Sequence, residues 1–196
     1  MAKTFTSGLP SVSTGDVLTA TAQNNLLTTI NSHTVPPLMR ARRAAAQSIA
    51  NNTAQAVNFD TRDIDTGATE SSADAMFTAT SNVVTIKTAG VYLVTATINF
   101  IAGSAAGPYG IAIYLNPTYS GSGDTATITG GTRITGALHS LSSATTQTVV
   151  SCSTIYSFSA SNTIGVLAYQ NSGAAVNLAT TNEQNTLSVA FLGKVS

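Results

Sequence analysis

A chain of 196 residues is long enough for one domain with a true core plus an appendage, and short for two full domains. Charged residues make up 8% of it, against roughly 25% in ordinary soluble proteins, and eight basic side chains balance eight acidic ones. That composition argues against a nucleic-acid binder, which needs clustered Lys and Arg, and suits a surface of short neutral side chains that packs against copies of itself.

The opening MAKTFTSGLPSVSTGD lacks an apolar signal core, and no run of about 18 apolar residues follows anywhere, so neither Sec export nor membrane insertion is expected. Within residues 1–35, Leu18, Ala22, Leu26 and Ile30 recur every four positions with Leu27 beside them, which predicts one short amphipathic helix. Thr19 is a plausible N-cap, and Pro36 and Pro37 stop the helix soon after His33. A helix this short is marginal alone and must bury its stripe. Leu18, Leu26, Leu27 and Ile30 are therefore expected to anchor an arm, 1–35, while 36–196 forms the domain.

After VPP the chain reads as strand after strand. Arg40, Arg42 and Arg43 in RARR are too few for a nucleic-acid arm and read as interface or rim charges. Asp60, Asp63, Asp65, Glu70 and Asp74 do not match a calcium loop and read as a solvated loop, so no metal is expected. VVTIKTAG, GVYLVTATINF, YGIAIYLN, TQTVVSCSTIYSF, NTIGVLAYQ and NTLSVAFLGKV are rich in Val, Ile, Thr, Tyr or Phe and are bounded by Gly, Asn, Ser or Pro. Such a series indicates an antiparallel sandwich or barrel.

Three of these strands are apolar on both faces. In GVYLVTATINF, Tyr92, Val94, Ala96, Ile98 and Phe100 form one face, and Val91 and Leu93 start the other. Ile164, Val166 and Ala168 stand opposite Leu167 and Tyr169, while Leu187, Val189 and Phe191 stand opposite Ala190 and Leu192. A second apolar face needs a cover, and a symmetric oligomer is the usual one. Val91, Leu93, Leu167, Tyr169 and Leu192 are the expected subunit interface.

The Gly-rich stretch 116–136 reads as a long loop, where binding tends to reside. Asn116, Tyr119, Asp124 and Arg133 combine an aromatic platform with amide, carboxylate and guanidinium groups, a set suited to a sugar. Catalysis has little to draw on. Only His33 and His139 could serve a hydrolase triad, and no G-x-S-x-G flanks a serine, so no catalytic residue and no cofactor is expected. Cys152, the single cysteine, rules out an intrachain disulfide. It alternates with Val150, Thr154 and Tyr156 as a small buried hydrophobe would.

PLMRARRAAAQSIANNTAQAVNFDTRDIDT, AGVYLVTATINF, NTIGVLAYQNSGAAVNL and LSVAFLGKV together resemble the C1q/TNF-like jelly roll in the version found in bacteriophage virion proteins. The likeness spans residues 37–195, and its strongest motif is Ala89, Gly90, Val91, Tyr92 and Leu93. It implies an all-β antiparallel jelly-roll sandwich that forms a compact homotrimer, whose neighbouring subunits would cover Val91 and Leu93. TGDVLTATAQNNLLTTI is similar to the N-terminal stretch by which many phage tail and capsid-surface proteins attach. GATESSADAMF departs from the pattern by lacking a Met-His pair, so no site is carried over there. The resemblance implies a non-enzymatic virion protein, assembled in the host cytoplasm and held at the virion surface by its arm on capsid or tail proteins. The alternative is a tail receptor-binding module that contacts host surface glycans through 116–136.

Overall fold

The structure, a computed structural model of the chain, describes residues 36–67, 74–79, 82–101, 106–142, 147–180 and 185–194, together with Thr21, Gln23 and Asn24. The chain divides into two compact units, Met1–Pro36 and Pro37–Ser196. In the first, Thr21, Gln23 and Asn24 take helical backbone and are exposed, and the stripe residues Leu18, Leu26, Leu27 and Ile30 lie outside the described residues.

The second unit is an antiparallel two-sheet sandwich. Its strands are β1 (Leu38–Arg42), β2 (Ser48–Ile49), β3 (Thr53–Ala56), β4 (Thr61–Asp65), β5 (Val83–Thr85), β6 (Gly90–Ile101), β7 (Gly107–Ser120), β8 (Thr127–Leu141), β9 (Gln147–Phe158), β10 (Thr163–Gln170), β11 (Val176–Asn177) and β12 (Thr186–Gly193). One sheet runs β4-β1-β12-β6-β9 and the other β3-β8-β7-β10-β5, with β3 also pairing β10; β11 and β2 form a small ribbon. β1 and β12, the first and last strands of this unit, lie side by side in the first sheet.

Alternation explains which side chains fill the space between the sheets. Tyr92, Val94, Ala96, Ile98 and Phe100 from β6 meet Ile111, Ile113, Ile164, Val166 and Ala168 from the opposite sheet, all of them buried. Tyr92 packs edge-on against Phe158 and Phe191 at ring separations of 5.9 and 5.2 Å. Gly90 opens β6 because a Cβ there would run into the Phe191 ring and the Gly193 carbonyl oxygen, which gives the Ala89-Gly90-Val91 motif a packing reason.

Two expectations change. Residues 116–136 are not a loop but the distal half of a long β7–β8 hairpin, closed by a 3-10 turn at Gly123–Thr125. Its glycines hide the Thr and Ile alternation of ATITGGTRITGAL, and Gly131, at φ 104, sits where a side chain would strike the Leu115 and Asn116 carbonyls. The acidic run is not simply a solvated loop either. Thr61–Asp65 is strand β4, and Asp65 is buried with one oxygen accepting the Phe77 amide at 2.9 Å.

Candidate functional site

The outer face of the first sheet is divided into two bands. Cross-strand register places Leu38, Ala190, Leu93 and Ile155 in one row, with Val91 and Leu192 beside it. Leu93, Leu192 and Ile155 are 38%, 54% and 64% exposed, large values for branched apolar side chains on a flat sheet. The next two rows carry Arg40, Ser188, Thr95 and Ser153, then Arg42, Thr186, Thr97 and Ser151. Here hydroxyls replace methyls, and Thr97 and Ser151 hydrogen-bond to each other at 2.9 Å. Ile155 is not among the expected interface residues, although period-two counting sets it opposite the Cys152 face of its strand.

The five expected interface residues do not share one surface. Val91, Leu93 and Leu192 lie on this face, whereas Leu167 and Tyr169 belong to β10 in the other sheet. Leu167 is only 9% exposed, so its own subunit already covers it. The hairpin supplies the neighbouring cover, since Tyr119 and Pro117 lie directly over Gly165, two residues away on the same face. Tyr169 is half-buried and its hydroxyl donates to Asn52 Oδ1 at 2.9 Å. For β10, the second apolar face is an internal packing surface rather than an open one.

The four expected sugar contacts likewise turn out to be largely spoken for within the subunit. Asn116, at φ 47, accepts the Thr163 amide at 2.9 Å, and the Tyr119 hydroxyl donates to the Asn82 carbonyl at 3.0 Å. Burial pushes the Tyr119 phenol well above its ordinary range. Asp124, in the hairpin tip, accepts from Arg43 at 2.7 Å and Asn58 at 2.9 Å, while its carbonyl accepts from Gln47 and Gln55, both at 3.1 Å. Asn116 and Arg133 both stay exposed, and the Arg133 guanidinium lies over Gly136.

Arg43 is correspondingly no rim charge. It is 5% exposed, and its guanidinium donates to the carbonyls of Ala45, Ala46 and Asn58 besides Asp124. Asp60 lies 3.5 Å from it. Burial acts to raise the Asp60 pKa, but the amides of Ala44 and Ala45, the Thr61 hydroxyl and Arg43 outweigh it and hold that carboxyl below its ordinary value. Cys152 faces the core, and burial pushes its thiol up to about 11 against a smaller lowering by Arg133. His139 is exposed on β8. Among the described residues no three His, Cys, Asp or Glu side chains gather as a metal site requires.

The solved structures that this sandwich matches decide its architecture. An Eiger TNF from S. frugiperda superposes with a TM-score of 0.55 at 13% identity, over 82% of this chain and 96% of that one. Murine APRIL gives 0.54 at 10% identity over 80% and 98%, and the globular domain of zebrafish complement 1qA gives 0.51 at 11% over 81% and 99%. The fold is a C1q/TNF-like jelly roll. No protein-family model matches the sequence, and no curated protein matches it. Identities this low carry the architecture alone. Among the described residues, the outer face of the first sheet carries Leu93, Ile155 and Leu192 as exposed large apolar side chains.

Proposed function

We propose that the chain is a non-enzymatic structural protein of a bacteriophage particle. Its jelly roll assembles as a homotrimer through the outer face of the first sheet, and residues 1–35 attach it to capsid or tail proteins at the virion surface. The observation that carries the assembly reading is the exposed row of Leu93, Ile155 and Leu192. Covering what each such side chain leaves exposed contributes roughly 0.5–2 kcal/mol. Leu138, 66% exposed on β8 in the other sheet, gives a second and different apolar spot, as a ring closed by unlike surfaces needs. A surface with few charges supports the same reading, because Lys and Glu are depleted where subunits pack.

The trimeric stoichiometry and the phage setting come from the sequence resemblance, and the arm from the Leu18, Leu26, Leu27 and Ile30 stripe. Three arms on one trimer would hold it by effective concentration even if each binds weakly. Sedimentation of the isolated protein at micromolar concentration should give a trimer, and a stable monomer rejects the assembly reading. A chain lacking residues 1–34 should still fold and assemble but no longer join particles. Normal incorporation of that truncated chain rejects the anchoring role.

A further inference from the structure

We infer that Arg40 and Arg42 form an oxyanion-binding site on the outer face of the first sheet. The two residues alternate on β1, so both guanidinium groups project from the same face, next to the apolar band. They share a single carboxylate, Asp63, at 3.7 and 3.3 Å. Both separations exceed the 2.7–2.9 Å of a charge-assisted hydrogen bond. The β1–β4 register shifts beside Arg40, and that irregularity places Asp63 between the two arginines.

The other acids of the strand are turned to different work. Asp60 accepts the Ala44 and Ala45 amides, and Asp65 is buried with Phe77. Two cations therefore face one anion, leaving a net positive charge on a surface that is otherwise hydroxyl and methyl. The Arg42 Nε atom is buried without a hydrogen-bond partner. Directly across the strand pair, Ser188 stands opposite Arg40 and Thr186 opposite Arg42. Among the described residues, the side chains of Arg40, Arg42, Ser188 and Thr186 make no hydrogen bond to the rest of the chain.

Two guanidinium forks flanked by two hydroxyls suit a group with several acceptor oxygens and negative charge. A carboxylate or a tetrahedral oxyanion such as sulfate or phosphate has that chemistry. The site rests on the subunit alone. Only its link to assembly rests on the homotrimer reading, in which a second copy closes over this face and would either bring a carboxylate to the arginines or trap a free oxyanion there.

The test uses the full chain, with Arg40→Gln and Arg42→Gln as variants. Arg62→Gln, an exposed arginine on β4, serves as control. Thermal melting and calorimetric titration with sodium sulfate and sodium phosphate are compared with sodium chloride at matched ionic strength, and sedimentation reads the assembly state. If the occupant is a free oxyanion, sulfate stabilises the wild type beyond chloride, and each Gln variant binds it at least about tenfold more weakly while the control does not. If it is a carboxylate of the second copy, the wild type is indifferent to sulfate and the two Gln variants dissociate while the control stays assembled. Arg40→Lys, which keeps the charge and loses the fork, should fall between wild type and Arg40→Gln in either case. A sulfate response and assembly state unchanged in both Gln variants, or changed equally in the control, overturns the site. A wild-type monomer that still takes sulfate through these arginines keeps the site and rejects the homotrimer reading.

Discussion

Leu93 on β6 and Ile155 on β9 are direct cross-strand partners on the outer face of the first sheet. Both side chains are exposed in the subunit, beside a fully packed row that faces inward. Their removal should therefore separate assembly from folding. With Leu93→Asp and Ile155→Asp combined, sedimentation should show monomers at micromolar concentration, because two desolvated carboxylates would replace apolar contacts worth roughly 0.5–2 kcal/mol each. The monomer should keep its antiparallel circular dichroism. A variant that still assembles like wild type removes this face from the interface.

The hairpin tip is tied down by hydrogen bonds and by the Arg43–Asp124 ion pair. Asp124→Ala leaves the Arg43 guanidinium 5% exposed and facing only carbonyl oxygens and the more distant Asp60. The expected loss is about 1.5–3 kcal/mol, toward the lower end because the Asp124 side chain keeps 44% of its surface in water. Urea unfolding reads this directly, and a midpoint unchanged within error would mean that the tip does not contribute to global stability.

Asp65 offers the opposite sign. Its side chain is buried, Oδ2 accepts the Phe77 amide, and Oδ1 has no hydrogen-bond partner. Asp65→Asn keeps an acceptor for Phe77 and puts a neutral amide in place of a buried acidic side chain. A gain of about 1 kcal/mol, or a rise in Tm of about 2–4 °C, is expected from calorimetry. A lower Tm would reject this reading of the Asp65 site.

Cys152 links burial to alkaline pH. Burial, opposed by a smaller effect of Arg133, moves its thiol from 9.0 in the ordinary range to about 11. The unfolded chain releases that proton first, so stability is lost as pH rises from about 9 through 11. Tyr92, raised by burial from 10.0 to about 12, adds a loss of the same sign at higher pH. Urea midpoints between pH 9 and 10 should fall less steeply in Cys152→Ala than in wild type. Native Cys152 should also react slowly with iodoacetamide at pH 9, and rapid native alkylation would contradict its burial.

The alternation of β6, β9, β10 and β12 was legible in the chain because the pleat repeats every two residues whatever the strand pairs with. Tyr92, Val94 and Ala96 point inward on that ground alone, as does Cys152, and the same local regularity made the antiparallel sandwich class readable. Residues 116–136 were harder. Glycines and a proline mark a loop in most chains, and here they mark a bent hairpin whose own side chains, Asn116 and Tyr119, tie its irregular ladder to backbone atoms of distant segments.

What covers a second apolar face is decided over distances that no local pattern records. Leu93 and Leu167 look alike in sequence, each an apolar residue opposite a core row. The hairpin bends across β10 at Asn116 and Pro117 and buries the surroundings of Leu167, whereas the β6 face is left open beside Ile155. Arg43 shows the same division: strand alternation already sets it opposite Arg40 and Arg42, but only the tertiary structure brings it to a carboxylate 81 residues away. Local backbone geometry determines which side of a strand a residue takes, and only long-range pairing determines whether that side meets water, its own chain or another copy.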